Sequence, residues 1–294
     1  MDSCREMAYN NIIRIKEKIN MKYFCVSDIH GNYDKMIAAL NKAGFNKETD
    51  TLISLGDLFD RGPQSKEVLE YVMSCPHRLL CIGNHDLRLM QLIQTPALYT
   101  AYDTWNGVLA TLNSFLGDDF YHEKSSLMKL RNYDLLIEYF KKCRAAFEFS
   151  NLIITHGWIP TSTSKNKIYP YYRLIPHGGV ADWRAAPNIV WEDAFRVNTE
   201  KILQYKVYPD KDILVGHWST FSLAQKIKQL EGVKITKKDK EDVDSGILIH
   251  TFENGKRLIA IDGCTVLYDV NVYTFETDEE PVVYSGNLGK WYYF

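Results

Sequence analysis

Thr51-Leu52-Ile53-Ser54-Leu55-Gly56-Asp57-Leu58-Phe59-Asp60-Arg61-Gly62 decides how this chain folds. A short apolar run reads as a buried strand, and a glycine ends it. Two aspartates, an arginine and a second glycine follow at once, so polar chemistry is loaded onto the loop at the strand's carboxyl end. The pattern recurs on both sides. Tyr23-Phe24-Cys25-Val26 leads into Ser27-Asp28-Ile29-His30-Gly31, and residues 78–82 lead into Gly83-Asn84-His85-Asp86. Between these motifs lie helical stretches. Residues 33–43 are stopped by Gly44, and residues 65–73 are opened by Pro63 and closed near Pro76. Repeated strand–motif–helix alternation predicts parallel strands whose carboxyl ends collect the ligands.

Working outward, residues 87–93, 104–115 and 127–142 read as helices forming a cap or side layer. Residues 147–155 read as one long strand or a strand pair feeding His156, and 213–215 as a short strand feeding His217. Residues 160–188, rich in Tyr, Pro, Gly and His, read as a long loop passing near the site. The end of the chain is β-rich. Residues 246–252 and 257–262 flank Asn254-Gly255, which predicts a hairpin with a type I′ turn. Further strands are expected at 270–275 and 282–284, and the charge run at 234–244 reads as a solvated loop. The expected fold is α/β: a mixed β-sheet sandwich flanked by helices, with a dinuclear metal site at the strand carboxyl ends. One domain is expected over 1–294, with a helical cap at about 87–143. Ile12, Ile13, Ile15 and Ile19 suggest an amphipathic N-terminal helical extension over about 1–20.

Composition narrows the function class. The chain has 294 residues, 46% of them hydrophobic, and a formal charge of −2. That near-neutral balance argues against a dedicated nucleic-acid or membrane-surface binder. No apolar run is long enough to cross a bilayer, and the amino terminus lacks a signal-peptide core. The six cysteines, Cys4, Cys25, Cys75, Cys81, Cys143 and Cys264, show no C-x-x-C spacing and several lie in apolar runs. They read as reduced core thiols, which predicts a cytoplasmic protein.

The motifs supply Asp28, His30, Asp57, Asn84, His156 and His217: three imidazoles, two carboxylates and one amide. Mixed nitrogen and oxygen ligation without thiolate suits two divalent ions of the Mn, Fe or Zn type. A carboxylate has two oxygens and can bridge two ions, which singles out Asp57. Asp28 and His30, two apart, are expected to point the same way from a strand end and grip one ion. Two ions roughly 3.5–4 Å apart clamp the attacking and leaving oxygens of a displacement at phosphorus. Two further residues, His85 and Arg61, remain to do chemistry.

These motifs resemble the metallophosphoesterases of the calcineurin-like superfamily, in particular the phosphoprotein-phosphatase branch of bacterial or phage type. Gly56-Asp57-Leu58-Phe59-Asp60-Arg61-Gly62 and Gly83-Asn84-His85-Asp86 carry the resemblance, which runs from about residue 22 to about 276. It implies that Asp28, His30 and Asp57 hold one ion, and that Asp57, Asn84, His156 and His217 hold the other. It implies His85 as the acid that protonates the leaving oxygen, Asp60 as its orienting partner and Arg61 as a phosphate ligand. Arg88 is a further candidate for phosphate binding, or for pairing with an aspartate. Trp191-Glu192-Asp193 resembles a family segment followed by a second phosphate-binding arginine, which points to Arg196, with Arg184 as the other choice. His177 reads as a loop histidine, and His77, His122 and His250 as structural or exposed. The chain departs from the family in placing Trp158 and Trp218 beside metal ligands, where they could wall the cleft or pack the core.

The activity implied is metal-dependent phosphomonoester hydrolysis by a hydroxide bridging the two ions, with a phosphoserine or phosphothreonine protein as the expected substrate. The alternative is a dinucleoside polyphosphate hydrolase. Residues 83–90 and His156-Gly157-Trp158-Ile159-Pro160 resemble segments of the symmetrical diadenosine tetraphosphate hydrolases.

Overall fold

The computed structural model describes residues 20–120, 122–165, 172–176, 202–203, 206, 208–234 and 244–285. Two mixed sheets form its centre. The first has strand order β11-β1-β2-β3, with β1 (Met21–Val26), β2 (Thr51–Ser54) and β3 (Arg78–Leu80) parallel and β11 (Tyr273–Thr277) antiparallel at the edge. The second has order β12-β4-β5-β8-β10-β9. Its middle strands β5 (Leu152–Thr155), β8 (Asp212–Val215) and β10 (Arg257–Ala260) are parallel. β4 (Ala146–Glu148) and β9 (Leu248–Thr251) flank them antiparallel, and β12 (Val282–Tyr284) pairs antiparallel with β4 at the edge.

The period-2 alternation of strands explains the sandwich. Tyr23, Cys25 and Ile53 of the first sheet meet Phe147, Ile154, Leu214 and Ile259 of the second in one buried cluster. Tyr23 packs edge-on against Phe149 at 5.3 Å and stacks on Phe275 at 4.8 Å. The alternate residues, Phe24, Val26, Leu52 and Leu80, face outward into a second cluster shared with the helices. Each such fully buried side chain contributes about 1.5–3 kcal/mol. Both faces of the central strands are therefore covered, which is why β1 and β2 read as continuous apolar runs.

Helices α1 (Tyr33–Ala43) and α2 (Ser65–Ser74) follow their strands as the alternation predicts, and Gly44 ends α1 in the left-handed conformation. The helical layer differs from the sequence reading in detail. Helix α3 starts at Asn84 and runs Asn84–Gln94, so Asn84 and His85 occupy a first helical turn and not a strand end. The stretch expected at 104–115 is two helices, α4 (Ala101–Trp105) and α5 (Val108–Leu116), because Gly107 takes a positive φ of 96° between them. The stretch at 127–142 is likewise α6 (Glu123–Leu130) and α7 (Asp134–Lys142). Helix α8 (Thr220–Leu230) follows β8.

Residues 147–155 form the strand pair β4–β5. The loop expected at 160–188 contains a two-stranded antiparallel hairpin, β6 (Thr161–Lys165) with β7 (Tyr172–Pro176). The β9–β10 hairpin is present, but its turn is not type I′. Gly255 has φ 77° while Asn254 is not among the positive-φ residues. The Gly255 amide donates to the Phe252 carbonyl, and the Phe252 amide to the Lys256 carbonyl. Three loop residues, not two, select a type I turn closed by a left-handed glycine. The expected N-terminal extension, the charge run at 235–243, Arg184, Arg196, His177 and Trp191-Glu192-Asp193 lie outside the described residues. Among the described residues no helix is long and apolar enough to cross a membrane.

Candidate metal centre and active site

Three strands of each sheet end at one place. Asp28 follows β1, Asp57 follows β2 and Asn84 follows β3; His156, His217 and Asp262 follow β5, β8 and β10. The two edges meet where the Asp57 and His156 side chains lie 3.3 Å apart and the His217 amide donates to Asp28 Oδ2 at 2.8 Å. The backbone there is unusual. Asp28, His30, Asp57, Asp60, Arg61 and His217 all have φ between 47° and 72°. Asp28 and His30 thus reach the site from a left-handed loop and not as alternate residues of a strand. Gly83 sits so close to Asp57 that a Cβ there would strike its carboxylate and amide.

Asp57 is the hub. Its carboxylate belongs to two groups whose candidate ligand atoms all lie within 4.8 Å of one another: His30, Asp57 and His85, and Asp57, His156 and His217. Asp57 Oδ1 accepts from the His85 amide at 2.8 Å, while Oδ2 lies 3.9 Å from His30 Nε2. Asn84 Oδ1 is 3.0 Å from His156 Nε2. Asp28 is in neither group of three; its Oδ2 takes the Ser27 hydroxyl and the His217 amide.

The donor set fits divalent cations. His30 Nδ1 lies 2.7 Å from the Phe59 carbonyl and His156 Nδ1 3.0 Å from the Leu55 carbonyl. A carbonyl can only accept, so each Nδ1 carries a proton; the neutral His30 ring then turns its Nε2 lone pair inward, and His156 presents Nε2 to Asp57 and Asn84. The buried carboxylates crowd one another. Burial, and secondarily the neighbouring Asp28, push Asp262 up to about 8. Burial pushes Asp28 up to about 6, with Asp57 adding to the shift. Lone pairs and mutually repelling carboxylates that converge on one buried place are the pattern a cation neutralises.

The histidines divide by environment. Burial pushes His30 and His217 down to about 3, so both rings are neutral. His156, against its burial, is raised by Asp57 to about 9. His85 also resists its burial and is raised, by Asp57 and by Asp60, whose Oδ2 takes His85 Nδ1 at 2.7 Å. The Arg61 guanidinium spans the opening and donates to His30 Nε2 at 2.8 Å and His85 Nε2 at 3.0 Å.

Several supporting residues escaped the sequence reading. Thr111 of α5 donates to Asp60 Oδ1 at 3.0 Å and accepts from the Asp60 amide at 2.8 Å. The Gly107 carbonyl accepts from the Arg61 amide, and a Cβ on Gly107 would collide with the Arg61 backbone. Asp86 accepts the amides of Asp57, Leu58 and Gly83 and the Tyr139 hydroxyl. Its position three residues after Gly83 is a capping signal that could have flagged it; Thr111, Gly107 and Asp262 had no local signal. Arg88 is held by Asp103, which its Nε and a terminal nitrogen grip at 2.6 and 2.9 Å. Trp158 is fully buried and packs edge-on against Phe252, so it walls no cleft. Trp218 lies edge-on to His217 at 4.6 Å and packs against the core.

A family model described as calcineurin-like phosphoesterase matches residues 21–244. Over 73 residues the chain is 45% identical to the symmetrical bis(5′-nucleosyl)-tetraphosphatase of Hamiltonella defensa subsp. Acyrthosiphon pisum, covering 24% of this chain and 26% of that one. Over 71 residues it is 48% identical to the protein of the same name from Salmonella arizonae, covering 24% and 25%. The matches thus span about a quarter of the length of these curated relatives. Among solved structures, a metallophosphoesterase from Sphaerobacter thermophilus superposes with a TM-score of 0.45 at 17% identity, covering 90% of this chain and 87% of that one.

Proposed function

The chain belongs to the calcineurin-like phosphoesterase family, and from that membership we propose that it hydrolyses bis(5′-nucleosyl) tetraphosphates symmetrically, releasing two nucleoside diphosphates. The observation that carries the substrate class is the 45–48% identity, over 71–73 residues, with relatives named for that reaction. The enzyme is a metal-dependent phosphoesterase.

Asp28, His30 and Asp57 would hold one divalent ion, and Asp57, Asn84, His156 and His217 the other. When bound, the ions supply Lewis acidity toward the phosphoryl oxygens and a nucleophile derived from water at neutral pH. The protein's own part is as follows. Asp60, fixed by Thr111, accepts the Nδ1 proton of His85 and orients the ring. Asp57 and Asp60 favour the protonated ring, so once Arg61 withdraws from Nε2, His85 is placed to take up a proton there and give it to the leaving oxygen. Arg61 leaves His30 and His85 for the non-bridging oxygens of the phosphoryl group being cleaved, where its fork compensates developing charge. His85, and not His30, is assigned the acid because its Nδ1 partner is a carboxylate, whereas His30 faces a neutral carbonyl.

A phosphoserine or phosphothreonine protein needs the same machinery, so it is the rival arm of the test. Comparing kcat/KM for bis(5′-adenosyl) tetraphosphate with that for a phosphoserine peptide, on Mn-loaded protein, separates them. A higher value for the nucleotide is expected. A higher value for the peptide would replace this substrate class with phosphoproteins.

A further inference from the structure

The groove that leads out from His85 has an outer half for which the hydrolytic machinery has no use. It forms a cavity of about 570 Å³, within the range that holds a small ligand. Asn84, the buried His85 and His217 line it beside the chemistry; Gln91, nearly two turns along α3 from His85, the exposed Tyr102 and Asn106 line its outer half. His85, Arg88 and Gln91 recur at three-residue spacing on α3, so one helix face runs from the chemistry to the outer wall.

The opposite wall is α4, whose five residues are too few to hold a helix in place unaided. Asp103, 1% exposed, fixes it. Its carboxylate takes two hydrogen bonds from Arg88 and two from Thr100, one from the amide at 2.8 Å and one from the hydroxyl at 3.0 Å. The backbone of α4 is therefore clamped, while the neighbouring Tyr102 ring stands 66% exposed at the groove's edge.

The geometry points to this outer half as a nucleoside seat, with Tyr102 as the stacking surface and the Gln91 amide as reader of the base edge, while Asn106 Nδ2 donates to the Tyr102 carbonyl at 2.8 Å and holds that residue in place. This rests on the proposed bis(5′-nucleosyl) tetraphosphatase reading and extends it to the part of the substrate remote from the scissile bond. Three features select a base over a peptide or a further phosphate. An exposed phenol offers a flat face for ring stacking. A primary amide presents a donor and an acceptor side by side, the pairing that adenine's edge complements. Arg88 and Asp103 neutralise each other, so the outer half is electrically quiet while Arg61 stands at the chemical end. A ligand with charge at one end and a neutral planar ring at the other matches that division.

The test measures binding to the full chain by calorimetry, with adenosine 5′-diphosphate and inorganic pyrophosphate as probes. Wild type is expected to favour the nucleotide by roughly tenfold or more, the worth of one stacked base. Tyr102→Ala is expected to bring that ratio close to one, and Tyr102→Phe to restore it, since stacking needs the ring and not the hydroxyl. A wild-type ratio near one, or a ratio that Tyr102→Ala does not change, overturns the seat. The two proposals fail separately. An intact, Tyr102-dependent ratio with better turnover of the phosphopeptide removes the substrate reading alone. Good turnover of the dinucleotide with a ratio near one removes the seat alone.

Discussion

The floor of the site and its wall are built on opposite terms. The floor, from Asp28 to Gly31 and Asp57 to Gly62 with His217, is mostly buried loop with left-handed residues at Asp28, His30, Gly31, Asp57, Asp60, Arg61 and His217, and its glycines are packed without slack against neighbouring backbone. The wall, α3 to α5, is ordinary helix whose position depends on a few side-chain pairs: Asp60 with Thr111, and Arg88 with Asp103. A floor of this kind has no room for added bulk. A wall of this kind can be altered one residue at a time, so the wall is where specificity is expected to reside. Substitutions that respect or cross this division test it.

The largest effect belongs to the floor. Asp57→Asn removes the charge shared by both candidate ligand groups. Loss of several kcal/mol of transition-state stabilisation, at least about 10³-fold in kcat, is expected on every substrate. Elemental analysis should show depleted metal alongside. A variant with full activity on less than one metal per chain would break the division at its base.

His85→Asn comes next, at the joint between floor and wall. A general acid is worth roughly 10²–10⁴-fold in kcat. The loss should be greater on a phosphoserine peptide than on the dinucleotide, because a serine alkoxide needs protonation more than a nucleoside diphosphate does. Equal losses would exclude proton donation as the role.

Gly107→Ala probes how tightly the wall presses on the floor. A side chain at φ 96° costs about 1–3 kcal/mol, and it also displaces the Arg61 backbone. Thermal unfolding should register the strain, and KM for any phosphate substrate should rise. An unchanged KM would show that Arg61 is not positioned from α5.

Arg88→Met is the mildest. It strands a buried carboxylate, at a cost of about 1–3 kcal/mol, and frees α4 to shift. Burial would raise Asp103, but the Arg88 and Thr100 hydrogen bonds outweigh it and hold the group below its ordinary value. A depressed native value means that the pair's stabilisation is present above the unfolded-state pKa and is lost as pH falls through the native one. The stability gap between wild type and variant, measured by urea unfolding, should therefore narrow in acid. A gap independent of pH would mean that Arg88 acts through packing alone.

The same division explains what was legible in the chain. Floor residues announce themselves because a strand end, a left-handed turn and a close approach each demand a particular residue within a few positions. Asp28, Asp57 and His217 stand out in the sequence for that reason, and the parallel order of β1, β2 and β3 follows from the same alternation. The wall sends no such signal. Thr111 meets Asp60 across 51 residues of sequence, and β11 joins β1 from the far end of the chain. Nothing within a short window marks either pairing. Arg88 lies between the two cases: its spacing from His85 allows either a phosphate ligand or a partner for an aspartate, and the structure gives it Asp103.

Of the eight non-glycine residues with positive φ among the described residues, six are Asp28, His30, Asp57, Asp60, Arg61 and His217. Anyone engineering this protein for heat resistance should take note. Each such position carries a conformational penalty that glycine would relieve, so a selection scored on survival alone would erode the very side chains proposed to act on substrate. Only a screen that scores turnover together with endurance would keep them.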